Sequence, residues 1–308
     1  MSVDAQCQLL LDEVVAAGTP DYSTLLPADV RASARRNLEV LPAGPEVGRI
    51  ANYLLDVPGG RIRLRAYFPK QSPQAVIVYL HGGGWVAGGI EESDGPNRLL
   101  TNKSGCIVLA VDYRLAPEFP FPVPVDDSDA ALIWAAENLV HSNGRELPLL
   151  IAGDSAGATI AGALTVICRD RGSPAIALQI LIYPAADAAC NTQSFRQYGK
   201  GMFPTKDSMN WFWNQYASGD QKFERRASIL REENLKNLPP ALIQTAEFDP
   251  LRDEGEAYGR RLQDANVSVV IDRRIGMIHG YITFAQILDG GRAAMDAIAE
   301  FVRASLAR

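Results

Sequence analysis

From Ala75 onward the chain alternates short apolar runs with amphipathic segments, and few folds accept that pattern. The runs are "AVIVYL" (75–80), "CIVLAVDY" (106–113), "LPLLIAG" (147–153), "LQILIYP" (178–184), "PALIQTAEF" (240–248) and "VSVVID" (267–272). They are rich in Val, Ile and Leu and apolar on both faces, which is the signature of parallel strands covered by helices on either side. Helical segments are expected at 125–140, 156–171, 250–265 and 293–307. Strand–helix alternation of this kind implies an α/β fold in three layers. A chain of 308 residues, 47% hydrophobic and 21% charged, can bury one large core of that type.

Two regions stand outside the alternation, and one strand pair precedes it. The stretch "NYLLDVPGGRIRLRAYFP" (52–69) reads as an antiparallel hairpin at a sheet edge, turning at Pro58-Gly59-Gly60, with Arg61, Arg63 and Arg65 alternating against Ile62 and Leu64. Residues 1–48 read as helical with Pro/Gly breaks, and residues 185–238 hold a polar loop and the aromatic segment "DSMNWFWNQYAS". Leu9, Leu10, Val14 and Val15 recur at helical spacing, so their face needs a partner, expected around Trp211 to Tyr216. The two inserts together would make a lid above the carboxyl ends of the strands.

Charge and composition exclude several functions. A net charge of −6 argues against nucleic acid or an anionic membrane as partner. The opening "MSVDAQCQLLLDEVVAAG" lacks the basic start of a signal peptide, and its apolar run is broken by Asp12 and Glu13. No apolar stretch reaches the roughly 20 residues of a membrane span. Cys7, Cys106, Cys168 and Cys190 show no C-x-x-C spacing, and there are only 3 His, so no metal site is expected. The cysteines read as reduced packing residues of a cytoplasmic protein.

The chemistry begins where "LPLLIAG" runs into "GDSAG" (153–157), a G-x-S-x-G between a strand and a small-residue helix. On such a corner the Ser155 hydroxyl projects outward, and Ala156 opens the helix with an unpaired N–H at the positive end of the dipole. A serine hydroxyl needs a base. His141 follows a helix and reads as an exposed residue, and His81 lies in a glycine loop. His279, in "GMIHGYI", follows the last strand, where a base can reach a serine at the carboxyl end of a middle strand. The base needs a carboxylate. Asp249 ends "PALIQTAEF" and precedes Pro250; an N-cap role also suits that position, and Asp253 is the alternative acid. The order Ser155, Asp249, His279 is that of α/β-hydrolases. Such a triad makes a tetrahedral oxyanion that needs pre-aimed N–H donors. "HGGGW" (81–85) supplies consecutive N–H groups with no Cβ in the way, whereas no phosphate-binding glycine motif is present.

These motifs, with "VDYRLAPEFPFP" (111–122), "DPLRDEG" (249–255) and "HGY" (279–281), resemble the hormone-sensitive-lipase-like carboxylesterases of the α/β-hydrolase fold, over about 50–308. The resemblance implies a mostly parallel central sheet with an antiparallel N-terminal edge hairpin. It divides the chain into a helical cap segment (1–48) and a catalytic domain (49–308) with a cap insertion at about 185–220. It implies an oxyanion hole of Gly83, Gly84 and Ala156, with Gly82 less suited as a direct donor. Trp85, beside that loop, is the one aromatic expected to touch substrate. The implied activity is hydrolysis of short- to medium-chain carboxylic esters through an acyl-enzyme, without cofactor or metal. An amidase or deacetylase could use the same triad. A non-catalytic receptor is the third reading, but receptor relatives lack the histidine that stands here at 279. The sequence leaves the natural ester and the oligomeric state open, a homodimer included.

Overall fold

The computed structural model describes residues 2–16, 18, 20, 24–142 and 144–307. Helices α1 (Ala5–Ala16) and α2 (Pro27–Val40) precede the hairpin β1 (Arg49–Val57) and β2 (Gly60–Phe68). Then come β3 (Val76–Leu80), α3 (Asp94–Ser104), β4 (Ile107–Asp112), α4 (Val123–Asn138), and a small pair, β5 (His141–Ser142) with β6 (Arg145–Glu146). The chain continues through β7 (Leu149–Asp154), α5 (Ala156–Arg171), β8 (Leu178–Ile182), α6 (Gln193–Tyr198) and α7 (Lys206–Tyr216). It ends with β9 (Ala241–Phe248), α8 (Arg252–Asp264), β10 (Val269–Ile278) and α9 (Asp289–Leu306).

The main sheet has 8 strands in the order β1-β2-β4-β3-β7-β8-β9-β10. The β1–β2 and β2–β4 pairs are antiparallel and the others parallel. Successive residues of the central strands fill opposite faces, which is why these strands carry no polar alternation. Val76, Val78 and Leu80 join Ile151 and residues of α4, α5 and α8 in one core. Ile77 and Tyr79 join Leu150, Ala152 and residues of α3 and α9 in the other. Each fully buried Val, Leu or Ile contributes about 1.5–3 kcal/mol, so the two-sided burial of β3 and β7 dominates local stability.

The expected strands and hairpin are present, and the structure adds to the helices. Segment 94–104 was not expected to be helical, yet it forms α3, whose buried stripe is Asn97, Leu100, Thr101 and Ser104. The spacing is helical but mostly polar, so hydrophobic periodicity is blind to it. The hydroxyls of Thr101 and Ser104 are satisfied by the carbonyls of Asn97 and Leu100 one turn earlier.

The N-terminal expectation needs correction. Among the described residues of α1 the buried side chains are Cys7 and Leu11, one turn apart, packed with Met277 and other residues around β10; half-buried Leu10 joins them, while Leu9 is exposed. The side chains of Val14 and Val15 lie outside the described residues. Asp4 sets this docking: its N–H donates to the Gly276 carbonyl, and its carboxylate accepts from the N–H groups of Gln6 and Cys7. It is the next segment that meets the aromatic insert, with Leu25 and Val30 packing against a cluster of Val86, Ala116 and Trp211.

One buried ion pair ties the loop after β4 to α4. Arg114 donates from its backbone N–H (3.0 Å), Nε (2.8 Å) and Nη2 (2.7 Å) to the carboxylate of Asp127, which is 1% exposed. Arg114→Ala leaves that carboxylate buried and without its cation, and should destabilise the protein by about 3–5 kcal/mol, read from urea unfolding. Arg61→Ala, which breaks the pair with exposed Asp56 on the edge hairpin, should leave the midpoint unchanged. Equal shifts for the two variants would contradict this ranking.

Candidate active site

The strand-to-helix corner between β7 and α5 is a strained turn. Ser155 sits there with φ 53° and ψ −121°, a left-handed φ that costs a non-glycine residue about 1–3 kcal/mol. Its surroundings hold it there: the Ser155 N–H donates to the Ile182 carbonyl (2.8 Å), and its own carbonyl accepts from Thr159 N–H (3.1 Å). The glycines of the motif permit the approach. A methyl group at Gly157 would run into the Leu80 carbonyl of β3, and one at Gly153 would come 2.5 Å from the Gly157 backbone.

The structure brings the three sequence-expected polar residues together at the carboxyl ends of β7, β9 and β10. His279 Nε2 lies 3.0 Å from Ser155 Oγ, and His279 Nδ1 lies 2.8 Å from Asp249 Oδ2. Asp249 is fully buried, and its Oδ1 accepts from the Leu251 N–H at 2.8 Å. One Asp249 oxygen thus closes the turn before α8 and the other holds the imidazole, while the N-cap position that the sequence offered to Asp249 is taken by Leu251. A carboxylate accepts only, so the His279 proton is assigned to Nδ1, leaving the Nε2 lone pair for the serine hydroxyl. The ring of Tyr183 lies against the imidazole at 4.4 Å. Asp253 is engaged elsewhere, accepting from Ser194 N–H (2.7 Å) and pairing with Arg252. His141 is exposed in β5, and His81 is buried, stacked on Tyr113 at 4.3 Å.

The loop after β3 is fixed from behind. Gly82 N–H donates to Asp154 Oδ1 (3.0 Å), so it is unavailable to a ligand. The Gly82 carbonyl is met by His81 Nδ1 (2.7 Å), and the Gly83 carbonyl accepts from Val86 N–H (3.2 Å) and Ala87 N–H (2.9 Å). In a planar trans peptide the carbonyl of one residue and the N–H of the next point oppositely. Anchoring these two carbonyls therefore turns the N–H groups of Gly83 and Gly84 the other way. Among the described residues none accepts a hydrogen bond from either. Gly83 and Gly84 take φ of 115° and 61°, and a methyl on the first would strike the Ala87 carbonyl. Ala156 opens α5, where an N–H has no intrahelical acceptor.

Sequence reasoning missed Asp154, which organises this loop. Its carboxylate also accepts from the Tyr79 hydroxyl at 2.9 Å, and burial pushes its pKa up against the opposing pull of that hydrogen bond. The available signal was a charged residue closing an otherwise apolar strand. Trp85 is a correction in the other direction. Its side chain is fully buried, stacked on Tyr216 at 4.3 Å and tilted against Trp213 at 4.4 Å, so its ring packs beneath the loop and offers no face to a ligand. Phe212 of α7 touches the loop from the other side, its ring filling the space beside Gly84.

A family model for the α/β-hydrolase fold matches residues 77–283. The carboxylic ester hydrolase LipN of Mycobacterium tuberculosis is 36% identical over 90% of this chain and 76% of its own length. The carboxylesterase NlhH of the same organism is 36% identical over 88% of each chain. Among solved structures, a hyperthermophilic esterase from Pyrobaculum calidifontis superposes with a TM-score of 0.92 at 37% identity, covering 99% of both chains. With that match lying across the strands that carry Ser155, Asp249 and His279, the chain belongs to the α/β-hydrolase family, among its hormone-sensitive-lipase-like carboxylesterases.

Proposed function

We propose that Ser155, His279 and Asp249 carry the carboxylesterase reaction, with Gly83, Gly84 and Ala156 as oxyanion donors. The observation that carries this reading is the continuous line Asp249–His279–Ser155, with contacts of 2.8 and 3.0 Å. As Ser155 Oγ attacks the ester carbonyl, its proton passes to His279 Nε2, and Asp249 stabilises the imidazolium. The oxyanion is met by the N–H groups of Gly83, Gly84 and Ala156. Collapse expels the alcohol, which takes the proton from His279, and leaves an acyl-Ser155. Water then gives a proton to His279 as it attacks, and a second collapse returns the acid and free Ser155.

The substrate reading is a short- to medium-chain ester. Residues 1–48 and 185–220 act as the cap, and the packing of Leu25, Val30 and Phe212 against the cluster of Val86, Ala116 and Trp211 supports that division where the two segments meet. Phe212, against Gly84, closes the site on the cap side, which favours small groups there. Four buried, unpaired cysteines support a reducing, cytoplasmic location. Among the described residues no helix is long and apolar enough to cross a membrane. Amide cleavage by the same groups is the competing reaction, and paired ester and amide substrates with one acyl group separate the two.

Ser155→Ala should lower kcat on p-nitrophenyl acetate by about 10⁵–10⁶, the scale for a lost triad serine. A variant that kept a tenth of the activity would sink the assignment. Asp249→Asn should keep the fold and cost roughly 10⁴ in kcat by holding the wrong imidazole tautomer. Asp253→Asn should cost far less, and the opposite ranking would move the acid to Asp253. Gly83→Ala should remove about 2–4 kcal/mol of transition-state stabilisation, seen in kcat. A rise in KM with kcat unchanged would mean that the loop binds the ground state.

A further inference from the structure

The oxyanion loop is held from the inside by Asp154 and His81, and from the outside by one side chain of the N-terminal segment. Arg31, on α2, donates from Nε to the Val86 carbonyl (2.8 Å) and from Nη2 to the Ala116 carbonyl (2.9 Å). The same guanidinium grips Glu118, Nη1 to Oε1 at 2.8 Å and Nη2 to Oε2 at 2.6 Å. Both carbonyls belong to the loop's support. The Val86 N–H closes the turn onto the Gly83 carbonyl, and the Ala116 N–H holds the Trp85 carbonyl at 2.9 Å. Val86 and Ala116 are fully buried, and Leu25 and Val30 pack onto them. A planar fork that engages two backbone carbonyls and a carboxylate at once is geometry that arginine alone supplies.

We propose that Arg31 is a positioning residue of the oxyanion hole: by fixing the Val86 and Ala116 carbonyls it holds the Gly83–Ala87 turn, so that docked α2 is a working part of the site as well as its cover. The inference rests on reading Gly83 and Gly84 as oxyanion donors. A purely covering role for α2 predicts altered substrate binding and a changed KM. A positioning role predicts a change in kcat at nearly constant KM, because only the transition state carries the charge that the turn must face.

The experiment uses the full chain with Arg31→Ala, Arg31→Lys and Glu118→Gln, and Arg35→Ala, exposed on the same helix, as control. Two readouts are taken: steady-state hydrolysis of p-nitrophenyl acetate, and amide hydrogen exchange across residues 83–87. Arg31→Ala should lower kcat about tenfold, the scale of one charge-assisted hydrogen bond, with KM within about twofold. Exchange at Val86 and Ala87 should accelerate by a similar factor. Arg31→Lys should recover only part of the loss, since an ammonium cannot span both carbonyls and the carboxylate. Glu118→Gln, which keeps an acceptor, should lose about threefold, and Arg35→Ala should match wild type. Unchanged exchange in Arg31→Ala, or a raised KM at constant kcat, would overturn the proposal. Accelerated exchange in a chain without esterase activity would uphold the coupling of Arg31 to the turn and overturn the oxyanion reading instead.

Discussion

The site depends on how closely the start of α5 approaches the end of β3. With no side chain at Gly157, the helix backbone lies against the Leu80 carbonyl. That contact places Asp154, the last residue of β7, within hydrogen-bond reach of Gly82, so the nucleophile corner and the glycine loop are built as one unit. The strained φ of Ser155 follows from the same approach, because a relaxed turn would carry the serine away from β3. The parallel order β3-β7-β8-β9-β10 then delivers Asp249 and His279 to the same end of the sheet. A helix that started one ångström further out would loosen the serine, the loop and the reach of the imidazole together.

Buried carboxylates are costly unless their oxygens meet donors. Asp154 meets the Tyr79 hydroxyl and the Gly82 N–H, and Asp249 meets the Leu251 N–H and the His279 imidazole. Glu254, in the first turn of α8, accepts through Oε1 alone from the N–H groups of Ala186 and Asp187 after β8, its buried Oε2 meets no donor among the described residues, and burial raises its pKa well above the usual carboxylate range. Each of these acids joins a loop at the carboxyl edge of the sheet to a neighbouring element. A net 1.5–3 kcal/mol for each charge-assisted bond is modest beside the cost of leaving such a group unpaired. The glycine loop is held by buried bonds of this kind, which suits donors that must be aimed before the oxyanion exists.

Much of this was legible because two kinds of signal are strong. Strands buried on both faces cannot hide among polar residues, so β3, β4, β7, β8 and β9 were plain. Ser155, Asp249 and His279 were readable because each closes a strand or follows one, in the order the fold requires. What escaped detection lacked an apolar signal or carried a misleading one. The buried stripe of α3 is mainly Asn, Thr and Ser, invisible to hydrophobic periodicity. Helical spacing places the face of α1 through Leu9, Leu10, Val14 and Val15; of these Leu9 is exposed and Leu10 packs beside Cys7 and Leu11, the residues that dock most deeply. Trp85 suggested a substrate contact through sequence proximity, but its φ of 61° sends the ring into the packing beneath the loop. Asp154 and Arg31 act on backbone groups distant in sequence, and no local spacing reveals that.

In the proposed mechanism the loop after β3 and the start of α5 form a single oxyanion receptor facing Ser155. The most direct test is a crystal structure of the enzyme inactivated by a p-nitrophenyl alkylphosphonate, whose phosphoryl oxygen stands where the ester oxyanion would form. Phosphorus should be bonded to Ser155 Oγ, with its oxygen about 2.7–3.1 Å from the N–H groups of Gly83, Gly84 and Ala156. An oxygen turned to solvent, or bound by Gly82 after release from Asp154, would contradict it.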